Sequence, residues 1–320
     1  MNVYEIFAIL SWIYTFTCLV LHSVNATELW EEWWGYSGVS GPAFWGSHNQ
    51  NWSLCGTGRF QSPIDIDPEK LIYDPNLTPL QFEEVMVDGI LVNTGLDLTF
   101  EVNTNTNSTK FVFSGGPLSY TYKLHYIKIH FGVYDYVGSE HTIAGKQFPF
   151  EIQLIGFNTD LYKTYNEASM STHGLAVITV LGAIGDLVSD EFDKILTAAK
   201  NVKYRGLKHG IPNFFITDLI PPSRLYITYE GSLTQPSCQE TVTWILINKP
   251  LHITQHQMAS LRELNRWNQN APFTNTPLVA NNFRPPQPVY RRTMRTNISP
   301  YVELTGDLLD YDIIKAWLSA

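Results

Sequence analysis

Short apolar runs alternate with turn-forming residues along most of this chain. The runs are short, and they are rich in β-branched and aromatic side chains, which is typical of strands rather than helices. The pattern predicts strands over residues 98–102, 110–113, 123–131, 150–157, 175–181, 224–229 and 242–246.

Two segments carry helix-start signals instead. Ser189 precedes residues 190–201, whose first turn contains Asp and Glu, side chains that suit a helix N-terminus. Thr254 and Gln257 have the spacing of a capping box, and apolar residues at helical spacing follow them. Many predicted strands and few helices indicate a mixed α/β, β-dominated fold, with no internal repeat and no linker that would divide it.

Composition supports a folded chain with a sizeable core. Hydrophobic residues make up 44% of the 320 residues and charged residues only 16%, whereas disorder requires the opposite balance. The formal net charge of -9 argues against a nucleic-acid partner, because nucleic acids select basic surfaces.

The N-terminus contains an apolar run over residues 6–21. This run is short for a membrane span, and small residues follow it, so we predict a secretory signal peptide over residues 1–26 and a mature chain beginning near Thr27. The segment before the run has no Lys or Arg and carries Glu5, which leaves an uncleaved membrane anchor as the alternative. No second hydrophobic segment follows, so we expect a secreted, extracellular protein without a membrane span after cleavage.

The C-terminal tail, residues 301–320, has a separate pattern. Leu309, Ile313, Trp317 and Leu318 recur at helical spacing, with acidic residues early in the segment. An amphipathic helix is expected here, either docked on its own domain or free to bind a partner.

Cysteine usage agrees with export. Cys18 leaves with the signal peptide, so Cys55 and Cys238 remain as a pair. A pair in an exported protein suggests one disulfide, and two buried free thiols are the alternative.

Acceptor motifs for N-glycosylation occur at several asparagines. Asn51, Asn76, Asn107 and Asn297 each begin an Asn-x-Ser/Thr motif, and Asn25 begins another across the predicted cleavage point. Asn76 and Asn107 have polar, turn-like surroundings and are the better candidates.

Candidate chemistry centres on two of the predicted strands. Residues i and i+2 of a strand share a face, so Lys128 and His130 project side by side, and Gln153 meets them if the two strands pair. Three imidazoles in that arrangement would hold a catalytic Zn²⁺. An ammonium group has no lone pair and a neutral amide is a weak ligand, so we expect no zinc and no other cofactor.

Several motifs in order resemble the α-carbonic anhydrase family, from about Trp34 to about Ser299. The matching pieces are Trp34-Gly35-Tyr36, Gln61-Ser62-Pro63-Ile64-Asp65-Ile66, Gly138-Ser139-Glu140-His141, Gly231-Ser232-Leu233-Thr234-Gln235-Pro236, Val242-Thr243-Trp244 and Asn282-Phe283-Arg284-Pro285-Pro286-Gln287-Pro288. The resemblance implies a large twisted, mostly antiparallel central sheet with peripheral helices, in a domain over residues 27–300. Extracellular members of that family also pair the two positions of Cys55 and Cys238.

The resemblance assigns roles to the site residues. In active members the positions of Lys128, His130 and Gln153 are all occupied by histidines that bind zinc. The resemblance therefore implies that these three are vestigial metal-site positions. Glu140 and Thr234 match the hydroxyl relay of the family, in which the carboxylate accepts a hydrogen bond from the threonine hydroxyl. Leu96 stands at the position of the proton-shuttle histidine, which is therefore lost.

These changes resemble the acatalytic carbonic anhydrase-related proteins, most closely the secreted branch numbered X and XI. The expected function is that of a binding module for an extracellular or cell-surface protein, and the branch itself points to a neural, neurexin-type partner. One alternative is residual zinc-dependent carbonate dehydratase or esterase activity. Another is a small-anion binder that uses Lys128 as its cation, although Glu140 or water is the expected partner of Lys128 if it is buried.

Overall fold

The computed structural model describes residues 34–83, 86–103, 110–186, 189–270 and 278–299. The predicted signal peptide, the C-terminal tail and Asn107 lie outside these ranges.

The described residues form strands joined by turns and short helices. The strands are β1 (Asp65–Ile66), β2 (Ile72–Tyr73), β3 (Leu80–Phe82), β4 (Met86–Asn93), β5 (Leu98–Val102), β6 (Val112–Gly115), β7 (Tyr122–Phe131), β8 (Thr142–Ile143), β9 (Phe150–Asn158), β10 (Leu175–Ile184), β11 (Lys208–Phe215), β12 (Tyr226–Gly231), β13 (Val242–Ile247), β14 (Leu251–Ile253) and β15 (Arg295–Thr296).

One large mixed sheet dominates the described part of the chain. Its main path runs in the order β11-β4-β5-β7-β9-β10-β13-β12-β15-β2. Off this path, β6 pairs with β7, β3 pairs with β6, and β14 pairs with β10. Most neighbours are antiparallel, while β13 and β14 pair with β10 in parallel and β15 pairs with β2 in parallel. The expected β-dominated fold with a mostly antiparallel sheet is confirmed.

The apolar runs located the central strands well. The predicted strand over 98–102 coincides with β5, and those over 123–131, 150–157, 175–181 and 242–246 fall within β7, β9, β10 and β13. The predictions over 110–113 and 224–229 begin two residues before β6 and β12.

Two longer strands, β4 and β11, were not predicted from the sequence, because each contains a residue that is unfavourable in strands. Gly89 lies inside β4, where a Cβ atom would overlap the ring of Phe100 on the neighbouring strand. Pro212 lies in β11 at a bulge between Ile211 and Phe214, on an edge strand that tolerates the missing N–H.

The helices are short and peripheral. They are α1 (Trp45–His48), α2 (Leu54–Thr57), α3 (Tyr165–Ser169), α4 (Asp190–Ala199) and α5 (Gln255–Leu261), with 3₁₀ turns at Gly38–Ser40, Gln50–Trp52, Pro68–Lys70, Lys200–Val202 and Ile216–Leu219. Both predicted N-caps form, since Ser189 accepts a hydrogen bond from the backbone of Phe192 and Thr254 and Gln257 complete the capping box. The α4 helix ends at Ala199 rather than 201, and a 3₁₀ turn follows it.

The sheet separates the main core from the candidate site. Ile127 and Ile129 of β7 enter the largest hydrophobic cluster, which also packs against α4 and α5. Lys128 and His130 alternate with these residues and therefore lie on the opposite face. Gln153 of β9 lies on the site face by the same alternation.

A disulfide joins Cys55 of α2 to Cys238, across 183 positions of sequence, as expected. Both sulfurs lie in a small buried cluster that includes Trp45 and Trp52. The bond thereby ties the N-terminal helices to the loop that follows β12.

None of the helices within the described ranges is long and apolar enough to cross a membrane.

Candidate functional site

The register between β7 and β9 brings the three predicted positions together. Lys128 pairs directly with Gln153, and His130 pairs with Glu151, in an antiparallel ladder. The next strand places Thr99 of β5 beside Lys128. The sequence-based expectation that Gln153 meets Lys128 and His130 through strand pairing is therefore met.

Lys128 is held by an ion pair that the sequence reasoning missed. Its Nζ lies 3.0 Å from Asp97 Oδ2, and its ammonium group also donates to Gln235 Oε1. Gln235 Nε2 in turn donates to the same Asp97 oxygen at 2.9 Å and to the Tyr36 hydroxyl at 2.7 Å. The charged partner of Lys128 is therefore Asp97, which precedes β5, and not the candidate Glu140.

Asp97 is fixed by the turn that precedes β5. The hydroxyls of Thr94 and Thr99 donate to Asp97 Oδ1 at 2.9 and 2.6 Å. Burial alone would raise the pKa of the Asp97 carboxyl, but the Lys128 charge and the hydrogen bonds from Thr99 and Gln235 hold this pKa well below its usual range. The two flanking threonines are the only sequence signal that could have pointed to this carboxylate.

Leu96, at the position that the resemblance assigns to the proton shuttle, belongs to the same turn and is half-buried. Its neighbour Asp97 is the acidic group of this turn, but that carboxylate is already committed to Lys128.

His130 is fully buried and held by one ring nitrogen. Nδ1 lies 2.6 Å from the carbonyl oxygen of Asn282, which only accepts, so Nδ1 carries the hydrogen. In the neutral ring Nε2 then keeps its lone pair, and it has no hydrogen-bond partner among the described residues. The nearest carboxylate oxygen, Glu140 Oε2, is 3.6 Å away. His130 is thus a buried histidine fixed through Nδ1, with Nε2 directed toward Glu140.

Gln153 links two buried carboxylates. Its Nε2 donates to Glu140 Oε2 and to Glu151 Oε1, both at 2.8 Å. Carboxylate oxygens accept hydrogen bonds and do not donate them, so the amide nitrogen of Gln153 must face the two carboxylates. Its carbonyl oxygen therefore points away from them.

Glu151 anchors the backbone of the loop that carries Glu140 and His141. Its Oε2 accepts both backbone N–H groups, and its Oε1 accepts from His141 Nδ1 at 2.9 Å. Burial opposes ionisation of Glu151, but His141 lowers the pKa of its carboxyl. His141 is therefore a structural residue.

Thr234 is buried beside the same cleft, but it does not reach Glu140. The Glu140 oxygens accept from Gln153 and from the backbone N–H of Arg284 at 2.9 Å. Within the part of the chain that the structure describes, no hydrogen bond joins Glu140 to Thr234. The hydrogen bond that the resemblance implied between these two residues is therefore not formed, and Glu140 Oε2 accepts from the Gln153 amide instead.

A cleft of about 300 Å³ opens above these residues. It is lined by Tyr126, Lys128, Gln153, Ile155, Tyr165, Ser169, Leu233, Thr234, Gln235, Pro236 and Ser237. At its wall the hydroxyls of Tyr126 and Tyr165 lie 2.6 Å apart, and burial raises the pKa of Tyr126 to about 12.

The donor set does not fit a zinc ion bound by three imidazoles. At the first position the Lys128 ammonium is paired with a carboxylate, and at the third the amide nitrogen of Gln153 faces two carboxylates. His130 Nε2 alone offers a nitrogen lone pair, and the described residues contain no group of three His, Cys, Asp or Glu side chains arranged to hold a metal.

The large mixed sheet with few helices agrees with the family that the motifs indicated. The family model described as eukaryotic-type carbonic anhydrase matches residues 40–298. Carbonic anhydrase-like protein 2 of Caenorhabditis elegans is 38% identical over 267 residues, covering 82% of this chain and 79% of that protein. The chain therefore belongs to the eukaryotic-type carbonic anhydrase family.

Replacing Lys128 with Met should lower the free energy of unfolding by about 3 kcal/mol, because Asp97 would stay buried without its counter-charge. The double variant Lys128→Met/Asp97→Asn removes both charges and should recover most of that loss. Urea unfolding of the purified variants measures both values. Lys70→Met is the control, since it removes only the exposed pair with Asp67 and should barely move the midpoint. A Lys128→Met protein as stable as Lys70→Met would contradict the assignment.

The depressed pKa of Asp97 predicts a specific pH dependence. The unfolded carboxyl titrates near 3.9, so between that value and the lower folded pKa the unfolded state binds more protons. The stabilisation by Asp97 is therefore present above about pH 4 and is lost as the pH falls through the folded pKa. Unfolding free energies measured from pH 5 to pH 2 should fall less steeply in Asp97→Asn than in the unmodified chain. Parallel curves would show that Asp97 is not the titrating group.

Proposed function

We propose that this chain is a catalytically inactive carbonic anhydrase-related protein, exported from the cell, that works by binding another protein. The observation that carries the proposal is the ion pair of Lys128 with Asp97 at the first vestigial ligand position. A side chain whose charge is compensated by a buried carboxylate is built into the fold and is not free to be displaced by a metal ion.

Loss of the metal removes the nucleophile on which the family's reaction depends. Water without a metal ligand has a pKa near 15.7, so it supplies almost no hydroxide at neutral pH. Among the side chains that line the cleft, Tyr126 has its pKa raised to about 12 and is therefore protonated at neutral pH. Leu96 offers no titratable group at the shuttle position. Nothing in this donor set favours the alternative of residual dehydratase or esterase activity.

The small-anion alternative is also disfavoured by the contacts of Lys128. An anion would need an uncompensated cation in the cleft, yet the ammonium is within 3.0 Å of the Asp97 carboxylate and also donates to Gln235. A second anion would have to compete with a carboxylate that is already desolvated and fixed by two threonine hydroxyls.

Export is supported by the predicted signal peptide over residues 1–26 and by the disulfide, which persists in oxidising compartments. The partner class follows from the resemblance to the secreted X and XI branch, which points to an extracellular or cell-surface protein of the neurexin type. With Cys55 and Cys238 bonded to each other, partner binding is non-covalent.

Metal content and CO₂ hydration test the inactive site directly. The secreted protein, dialysed against zinc and then buffer, should retain no stoichiometric zinc and should not raise the hydration rate above background. Lys128→His/Gln153→His is the matched control, because the β7–β9 register already aligns the three positions and should let this variant hold zinc. One equivalent of zinc with a rate above background in the unmodified protein would overturn the proposal.

Partner binding is the second prediction. The labelled protein should bind cells that display a neurexin-type ectodomain and not cells without it, and excess unlabelled protein should compete. Without added crosslinker, the two proteins of the complex should separate on a denaturing gel that contains no reductant, because Cys55 and Cys238 are already paired with each other. A reducible adduct would refute the non-covalent mode, and equal binding to both cell lines would refute this partner class.

A further inference from the structure

The acceptor motifs for N-glycosylation differ sharply in their structural setting. Asn51 and Asn76 are exposed, Asn297 is half-buried, and Asn107 lies outside the described residues. In the folded protein a glycan must extend from Nδ2 into solvent, so an asparagine whose amide is bonded within the fold cannot carry one without losing those bonds.

Asn76 stands in the turn that directly follows β2. Its amide group makes only a long hydrogen bond, 3.3 Å to Asp74 Oδ1, within that turn. Thr78, the hydroxyl residue of the motif, is also exposed, and its bond to Tyr226 uses the backbone carbonyl rather than the hydroxyl. Both side chains that the acceptor motif needs therefore face solvent.

Asn297 differs from Asn76, because both the oxygen and the nitrogen of its side-chain amide form hydrogen bonds with the backbone around the start of β12. Its Oδ1 accepts from the backbone N–H of Tyr226 at 2.9 Å, and its Nδ2 donates to the carbonyl of Arg224 at 2.8 Å. These bonds extend the pairing of β15 with β12 by one residue. A glycan on Asn297 would have to share an amide group that closes this strand pair.

We propose that Asn51 and Asn76 carry N-linked glycans, that Asn297 does not, and that the Asn76 glycan shields the open β2 edge of the sheet. In the transfer, Nδ2 forms a bond to C1 of N-acetylglucosamine and loses one proton to a base of the transferase. The C1–O bond to the lipid-linked diphosphate donor breaks, and the lipid diphosphate leaves. The inference rests on the proposed export, since the donor is encountered only on that route.

The position of Asn76 gives its glycan a physical role. The main path of the sheet ends at β2, where Ile72 is 55% exposed and Tyr73 is 40% exposed. Apolar side chains on an unpaired edge invite pairing with another chain. Within the described residues β2 is the other end of this sheet; it is only two residues long and contains no Pro and no bulge, whereas the opposite edge, β11, carries Pro212 and a bulge beside it. A bulky glycan three residues beyond Tyr73 obstructs a second chain from approaching β2.

Site-resolved glycan mapping tests the occupancy. The full chain is expressed in secretory cells, and peptides from the medium are analysed by mass spectrometry after enzymatic deglycosylation in heavy-oxygen water. Asn51 and Asn76 should be labelled and Asn297 should not. Thr78→Ala should abolish labelling of Asn76 only, whereas Thr78→Ser keeps the motif and should preserve it.

The outcomes separate the inference from the proposed export. A secreted protein with Asn76 unlabelled or Asn297 labelled would overturn the inference and leave export standing. A protein retained in the cytosol with every acceptor unlabelled would overturn both.

Shielding of the edge is measured by sedimentation of the same variants. Thr78→Ala should self-associate at concentrations where Thr78→Ser stays monomeric, and adding Ile72→Lys to Thr78→Ala should restore the monomer by placing a charge on the edge. Identical sedimentation of the two Thr78 variants would refute the shielding role.

Discussion

The antiparallel register between β7 and β9 is the constraint on which the site depends. It places Lys128 opposite Gln153 and His130 opposite Glu151, on the face that the core does not use. A slip of one residue would turn Lys128 into the apolar core and bring Ile127 or Ile129 to the cleft. The site is therefore fixed by the same alternation that fixes the fold.

Hydrogen bonds and an ion pair compensate the buried carboxylates on this face of the sheet. Asp97 is neutralised by Lys128, while Glu140 and Glu151 share the amide nitrogen of Gln153. Each substituted position thus supplies hydrogen-bond donors to an acid that the fold keeps buried. An unpaired carboxylate in such a place would be costly, so the lysine and the glutamine are structural parts of the sheet.

The loop after β12 connects this network to the rest of the molecule. Gln235 bridges Lys128, Asp97 and Tyr36, and three residues later Cys238 forms the disulfide with Cys55. The N-terminal aromatic segment, the cleft and the disulfide therefore share one loop. Family membership fits this arrangement, and inactivity and partner binding are the proposals that it supports.

The sequence by itself predicted most of the strand content, two helix caps, a disulfide between Cys55 and Cys238, and the meeting of Lys128, His130 and Gln153 through strand pairing. These features rest on local periodicity, on cysteine number and on motifs that are contiguous in the chain. Parts of the fold with weak local signals, such as the Gly-containing β4 and the Pro-containing β11, were not found. Asp97 was also missed as the partner of Lys128, for which Glu140 was the candidate.

Only the tertiary structure decided which polar groups meet. Asp97 is 31 positions from Lys128 and Gln235 is 107 positions away, and neither separation carries a sequence signal. Likewise, Asn76 and Asn297 begin the same three-residue motif, yet only the pairing of β15 with β12 fixes the amide of Asn297. The periodic spacing of apolar residues predicts strands and helices, because burial acts on whole faces of these elements. Hydrogen bonds and ion pairs join individual atoms, so their partners are settled when the strands have paired.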